Sequence, residues 1–169
     1  TLRGMMTNRF INIALAGSGL LLADAALFAS PSAKPMTPPT VSVRLLDATG
    51  RVTEPLRVPP VVKSDAAWQA QLSADQYRIM RTHGTERAFC GIFHDNHKTG
   101  VYACVGCGLP LFRSDAKFDS GTGWPSFFQP VAKENLGKTR DSSFGMVRTE
   151  VHCVRCESHL GHVFPDGPA

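Results

Sequence analysis

Two Cys-x-x-Cys pairs constrain this chain more than any other feature of its 169 residues: Cys104-Val105-Gly106-Cys107 and Cys153-Val154-Arg155-Cys156. Together they supply four soft thiolates, the ligand set of a closed, tetrahedral structural zinc. Gly106 and Gly108 suit the tight turn that lets both sulfurs of the first pair face one ion. The pairs stand 45 residues apart, more than a compact zinc ribbon spans, so the ion is expected to pin two distant hairpins together. Two other readings use the same residues. The pairs could close as disulfides, which an oxidising compartment permits, or act as redox Cys-x-x-Cys motifs. Cys153, Cys156, His159 and His162 also follow at three-residue intervals, which makes a mixed Cys/His site an alternative. Four cysteines already fill the shell, and the reading adopted leaves both histidines free.

The residues around the pairs favour strands. Residues 101–104, 109–112 and 145–153 read as short extended runs, and the eleven glycines of residues 65–169 supply turns between them. Ahead of these runs, Ser73-Ala74-Asp75-Gln76 has the spacing of a capping box, in which Ser and Gln satisfy free amides at a helix start. Trp68, Leu72, Tyr77 and Met80 would form the buried side of two short helices, closed by Gly84. The expected fold is therefore mainly β. Antiparallel sheets of short strands are pinned by a four-cysteine zinc site and preceded by short N-terminal helices.

Composition divides the chain. Residues 1–30 read as a signal peptide or uncleaved signal anchor: Arg3 and Arg9 precede an apolar run over residues 10–23, and Ala23-Asp24-Ala25 offers a small-x-small cleavage pattern. Export is the expectation, to a periplasmic location or a membrane tether. Residues 31–63 hold seven of the twelve prolines and read as an extended tether, with one short strand over residues 41–45. The domain is expected at 64–169, where eleven Lys/Arg balance eleven Asp/Glu. The net charge of +4 thus comes from residues 1–64, and the domain lacks the concentrated basic footprint of a nucleic-acid binder.

Several longer motifs recur in order. Upstream stands Arg81-Thr82-His83-Gly84-Thr85-Glu86. Between the pairs run Lys117-Phe118-Asp119-Ser120-Gly121-Thr122-Gly123-Trp124-Pro125-Ser126-Phe127 and Asp141-Ser142-Ser143-Phe144-Gly145-Met146. His159-Leu160-Gly161-His162-Val163-Phe164-Pro165-Asp166-Gly167-Pro168 follows the second pair. With the cysteine pairs, these residues closely resemble the B-type methionine sulfoxide reductases from about Ser64 onward.

The resemblance implies reduction of the R epimer of methionine sulfoxide in oxidised proteins and peptides, by a cysteine that becomes a sulfenic acid and is recycled by a thioredoxin-like reductant. It implies a structural zinc on Cys104, Cys107, Cys153 and Cys156, and a monomer. Trp124 matches the tryptophan that packs against the substrate methyl group, whereas read without the family it is a core residue. His159 and His162 match the histidines around the sulfoxide oxygen, with His162 the more direct participant, and Asp166 matches the acid beside them. A histidine titrates near neutrality and can both give and recover a proton.

Two departures qualify that expectation. The family's nucleophile lies in an Arg-Tyr-Cys motif after the Pro-Asp-Gly-Pro turn, and the sequence ends at Pro168-Ala169, so the 169 residues as they stand are expected to be inactive. Many relatives also carry a resolving cysteine where Thr122 stands. Cys90, in Ala88-Phe89-Cys90-Gly91, resembles the alternative resolving position, whereas read without the family it is a buried structural thiol. The competing functional class is a zinc-stabilised, non-catalytic binding module. A thiol-disulfide oxidoreductase is the third, and stoichiometric zinc would exclude it.

Overall fold

Residues 38–164 and Gly167 are described by the computed structural model. The leader expected at residues 1–30 lies outside the described residues, as does Asp166. No helix among the described residues is long and apolar enough to cross a membrane.

Short strands separated by glycine- and proline-bearing turns can pair only with near neighbours, and the sheets are accordingly small and antiparallel. Strand β1 (Val41–Val43) pairs with β2 (Leu56–Val58). Strand β3 (Val101–Ala103) pairs with β4 (Pro110–Arg113), and β5 (Lys117–Phe118) with β6 (Ser126–Phe127). The largest sheet has three strands in the order β7 (Leu136–Asp141), β8 (Arg148–Cys153), β9 (His159–Val163). Mainly antiparallel sheets with two short helices in front is the architecture expected from the sequence.

Helices α1 (Asp65–Gln71) and α2 (Ala74–Thr82) fill the place expected of them. The capping box forms: the Gln76 amide donates to Ser73 Oγ at 3.2 Å, and the Ser73 amide donates to Gln76 Oε1 at 3.0 Å. Trp68, Leu72 and Met80 are buried in the core, and Tyr77 packs against it. Gly84 does not supply the turn that ends α2. His83 takes the left-handed conformation (φ 56°), and the following amide of Gly84 donates to the Arg78 carbonyl at 3.0 Å. Histidine is among the few non-glycine types found there with some frequency, and its ring is anchored to Glu150, as shown below.

The proline-rich segment differs from expectation. Read as a tether over residues 31–63, it contains the β1–β2 hairpin, and Val43 is buried beside Trp68 and Leu109 in the core cluster. Proline density argued for an unpacked chain, but the prolines of the described part flank the two strands and leave their paired residues free to bond. What fixes the hairpin is a residue ninety positions away. Asn135 is completely buried, its Oδ1 accepts from the Arg44 amide at 2.8 Å, and its Nδ2 donates to the carbonyls of Arg44 and Pro110, both at 2.8 Å. One amide side chain thus replaces a missing strand partner for β1 and ties it to β4.

Removing that amide takes a partner from the Arg44 amide and from the Arg44 and Pro110 carbonyls, at about 1–3 kcal/mol for each one left buried and unsatisfied. Asn135→Ala is therefore expected to lower the unfolding free energy by at least about 2 kcal/mol. Urea denaturation of the zinc-loaded protein checks this, and a loss well under 1 kcal/mol would show that water replaces the amide.

Candidate functional site

The two cysteine pairs form matching turns. In the first, the Cys104 amide donates to the Leu109 carbonyl (2.8 Å), and the Gly108 amide donates to the Cys104 carbonyl (2.7 Å). In the second, the Cys153 amide donates to the Ser158 carbonyl (2.9 Å), and the Glu157 amide donates to the Cys153 carbonyl (2.8 Å). Each turn needs one left-handed residue after its second cysteine. Gly108 (φ 74°) serves the first, and Glu157 (φ 56°) serves the second. Gly106 meets the need for close approach: a Cβ there would lie 3.3 Å from Cys156 Sγ and 3.0 Å from Ser158 Oγ.

The four sulfurs converge across the pairs. Cys104 Sγ lies 3.5 Å from Cys156 Sγ, Cys107 Sγ lies 3.5 Å from Cys153 Sγ, and all four are within 4.8 Å of one another. A zinc–sulfur bond of about 2.3 Å places the corners of a tetrahedron about 3.8 Å apart, so the donor set fits zinc. Bonded sulfurs would be about 2.05 Å apart, and all five cysteines are free thiols. Hydrogen bonding among the thiols divides their protons unequally. Cys104 pulls Cys107 down to about 7 and holds Cys156 well below the usual thiol range. Cys104 itself is raised through its bond to Cys107, and Cys153 is raised by Cys104. Four thiolates this close repel one another, and a cation at their centre lets all of them ionise.

A second cluster forms on the other face of β8. Side chains alternate along a strand: Val151 and Cys153 are buried toward the core, so Arg148 and Glu150 point the opposite way. His159 and His162, three apart, would fall on opposite faces of a regular strand. They do not, because Val151 faces Gly161 while His152 faces His159, leaving Leu160 as an extra residue in β9. The bulge brings the two imidazoles to one face, with ring centroids 5.5 Å apart.

Each ring is held by a carboxylate. His159 Nδ1 is 2.6 Å from Glu150 Oε1, and the same oxygen is 2.8 Å from His83 Nδ1 at the end of α2. His162 Nε2 is 2.7 Å from Asp141 Oδ2, which also accepts from the Arg148 guanidinium at 2.6 Å. Hydrogen bonds from Ser143, His162 and Arg148 hold the Asp141 carboxyl well below the usual carboxylate range. Burial opposes ionisation of Glu150, but His159 and His83 outweigh it, and its carboxyl too is held below its ordinary value. Both carboxylates therefore stay charged across the neutral range beneath the two histidines.

Trp124 and Cys90 share a different region. The indole N–H donates to the Glu86 carbonyl at 2.9 Å, and the Phe89 amide donates to the Gly123 carbonyl at 2.8 Å. Gly123 is left-handed (φ 87°), and a Cβ there would sit 2.8 Å from Phe89, so no other residue fits. The Trp124 ring is 40% exposed, and Cys90 lies exposed on the same loop that braces it. Neither matches a core role, which for both was the reading without the family. No hydrogen bond or ring contact joins Trp124 to the histidines among the described residues. The connection runs through the chain: Glu86 follows His83 by three residues, which caps their Cα separation at about 11 Å.

Sequence reasoning named the cysteines, both histidines, Asp166, Trp124 and Cys90 as site residues, but gave no role to His83, Asp141, Arg148 or Glu150. The alternation in Arg148-Thr149-Glu150-Val151 carried one such signal, a charged residue on every second position of a strand whose other face turns apolar at Val151 and Cys153.

Comparison with known proteins adds a family. The family described as the SelR domain matches residues 72–169. A peptide methionine sulfoxide reductase MsrB of Thiobacillus denitrificans (strain ATCC 25259 / T1) is 59% identical over 106 residues, covering 63% of this chain and 80% of its own length. Proteins of the same description are 55% identical in Agrobacterium fabrum (strain C58 / ATCC 33970), over 67% of this chain and 84% of the relative, and 55% identical in Bradyrhizobium diazoefficiens, over 64% and 78%.

The sulfur geometry leads to a stoichiometric expectation of one zinc per chain. Structural zinc contributes apparent binding free energies of about 10–16 kcal/mol in small peptides, so Cys153→Ser should release the metal and unfold much of the domain. Metal analysis with circular dichroism checks this. Zinc-free, folded protein with disulfides mapped within each pair would contradict it.

Proposed function

We propose, starting from the fact that this chain belongs to the SelR-domain family of B-type methionine sulfoxide reductases, that its site serves the reduction of peptide-bound methionine R-sulfoxide with a thioredoxin-like protein as final reductant. The observation that carries the proposal is the pair of carboxylate-held imidazoles, His159 on Glu150 and His162 on Asp141, side by side on one sheet face.

Sulfoxide reduction by a thiol transfers one oxygen. A thiolate attacks the sulfoxide sulfur, the oxygen takes up protons and ends on the thiol as a sulfenic acid, and methionine is released. The oxygen is a poor leaving group until protonated, so an acid must stand beside it. An imidazolium whose other nitrogen is bonded to a carboxylate is positioned for that task, because the carboxylate fixes the ring and stabilises its charge. The exposed indole of Trp124 offers the sulfoxide methyl an apolar face, which would distinguish one epimer from the other. Asp166 is assigned the neighbouring acid role on the resemblance alone. The zinc, when bound, holds the β3–β4 turn to the β8–β9 turn and supports the sheet that carries the histidines.

The nucleophile is assigned to the family's Arg-Tyr-Cys segment, which these 169 residues do not include. Four cysteines converge on the metal centre, and Cys90 is braced against Trp124 through residues 86–89. That location supports a resolving role for Cys90, in which its thiol displaces water from the sulfenic acid to give a disulfide that a dithiol protein reduces. The apolar run of residues 10–23 supports action outside the cytoplasm.

Three measurements test this reading. With a peptide containing methionine R-sulfoxide and dithiothreitol, the 169-residue chain should be inactive, and the same chain extended by an Arg-Tyr-Cys-bearing family segment should turn over. Activity in the unextended chain that disappears in Cys90→Ser would overturn the assignment of roles. In the extended form, Cys90→Ser should retain turnover with dithiothreitol and lose it with thioredoxin, and normal cycling with thioredoxin would remove Cys90 from the pathway. Trp124→Ala should lose about 1–3 kcal/mol of epimer discrimination while keeping its zinc. Loss of the fold would instead mark Trp124 as structural.

A further inference from the structure

We infer that His83, Glu150 and His159 form a second metal site, open on one side, for a divalent late first-row cation such as nickel, copper or zinc. The site is separate from the four cysteines. Its three ligand atoms, His83 Nδ1, Glu150 Oε1 and His159 Nδ1, all lie within 4.8 Å of one another. Both nitrogens already address the same carboxylate oxygen, at 2.8 and 2.6 Å. At metal–ligand distances of about 2.1 Å, neighbouring donors are about 3.0 Å apart in an octahedron and about 3.4 Å apart in a tetrahedron. Replacing two N–H protons by one cation thus asks the two N–O separations to widen by only a few tenths of an ångström for the octahedral arrangement, with the two nitrogens within 4.8 Å of each other on adjacent or opposite positions.

Two imidazoles and a carboxylate are donors that late first-row ions favour. Three separate elements hold them: the left-handed end of α2, the middle of β8 and the start of β9. The side chains of Glu150 and His159 are 12% and 6% exposed, whereas that of His83 is 65% exposed. An ion would enter past His83 and keep water on its outer positions. Glu150 is already held ionised by its two histidines, as a ligand must be.

Occupancy has a chemical consequence, which rests on the acid role proposed for His159. A ring whose Nδ1 is bound to metal cannot become an imidazolium, so it can no longer give up a proton from Nε2 at neutral pH. The ion would act as an inhibitor.

The test titrates nickel, which does not oxidise thiols, into the full chain already loaded with zinc. Calorimetry should show one nickel per chain with the zinc retained, and paramagnetic broadening in NMR should centre on the rings of His83 and His159. His83→Gly keeps the turn, because glycine adopts its φ without cost. Outer-shell partners alone are worth about 10–100-fold in metal affinity, so losing a direct ligand in this variant should weaken nickel by at least about tenfold. Glu150→Gln should weaken it further, and if that variant misfolds, His83→Gly decides alone. Absence of nickel binding overturns the proposal, and so does unchanged affinity in His83→Gly with broadening at His94, His97 or Cys90. Because binding is read without turnover, its failure is distinguishable from failure of the reductase reading.

Discussion

Four sulfur atoms hold this domain together. Among the described residues its strands are two to six residues long, and three of its four sheets have only two strands, too little pairing for independent stability. The β3–β4 hairpin and the β7–β9 sheet meet where Cys104 and Cys107 face Cys153 and Cys156, and those cysteines join Trp68, Leu109 and Leu111 in one core cluster. The core needs the metal-binding turns as walls, and the turns need the core to bring distant residues together. A small domain with so few large buried side chains commonly relies on such a staple.

The same strand that delivers Cys153 to the metal centre delivers Glu150 to the histidines. Alternation of side chains makes this unavoidable: residues 151 and 153 face inward, and residues 148 and 150 face away. The remaining geometric requirement is that His159 and His162 share a face, and the bulge at Leu160 meets it. A bulge of one residue converts a three-residue spacing into an effective spacing of two, so the pattern His-x-x-His can act on one side of a sheet. Straightening β9 would turn one histidine into the core and separate the two carboxylate-held rings.

Local patterns in the sequence anticipated local structure well. The capping box, the apolar positions of the two helices and the extended runs around the cysteines all depend on residues within a turn or two of one another. What escaped detection depends on distant partners. Residues 41–58 looked like a tether because proline content speaks only of backbone preference, while the Asn135 amide that completes the hairpin lies far along the chain. Glu157 gave no hint of a left-handed residue, since glutamate has no intrinsic preference for it. Only the partner turn, where Gly108 occupies the equivalent place, shows why the backbone must bend there. His83, Asp141 and Glu150 were given no role for the same reason: each becomes part of a site only through a bond to an element elsewhere.

Metal centre and histidine face are thus two sides of one three-stranded sheet, and that arrangement limits how either can vary. A cation at the cysteines fixes the ends of β8 and β9 through Cys153 and Cys156, the latter three residues before His159. The Arg81 guanidinium adds a second tie, donating to the Cys156 carbonyl at 2.8 Å while stacking 4.9 Å over Trp68. Arg81 thus anchors α2 to the cysteine turn, and His83 anchors the end of the same helix to Glu150. The backbone from Cys156 to His159 is only three residues long, so an ion held by the four cysteines would also fix where β9 begins.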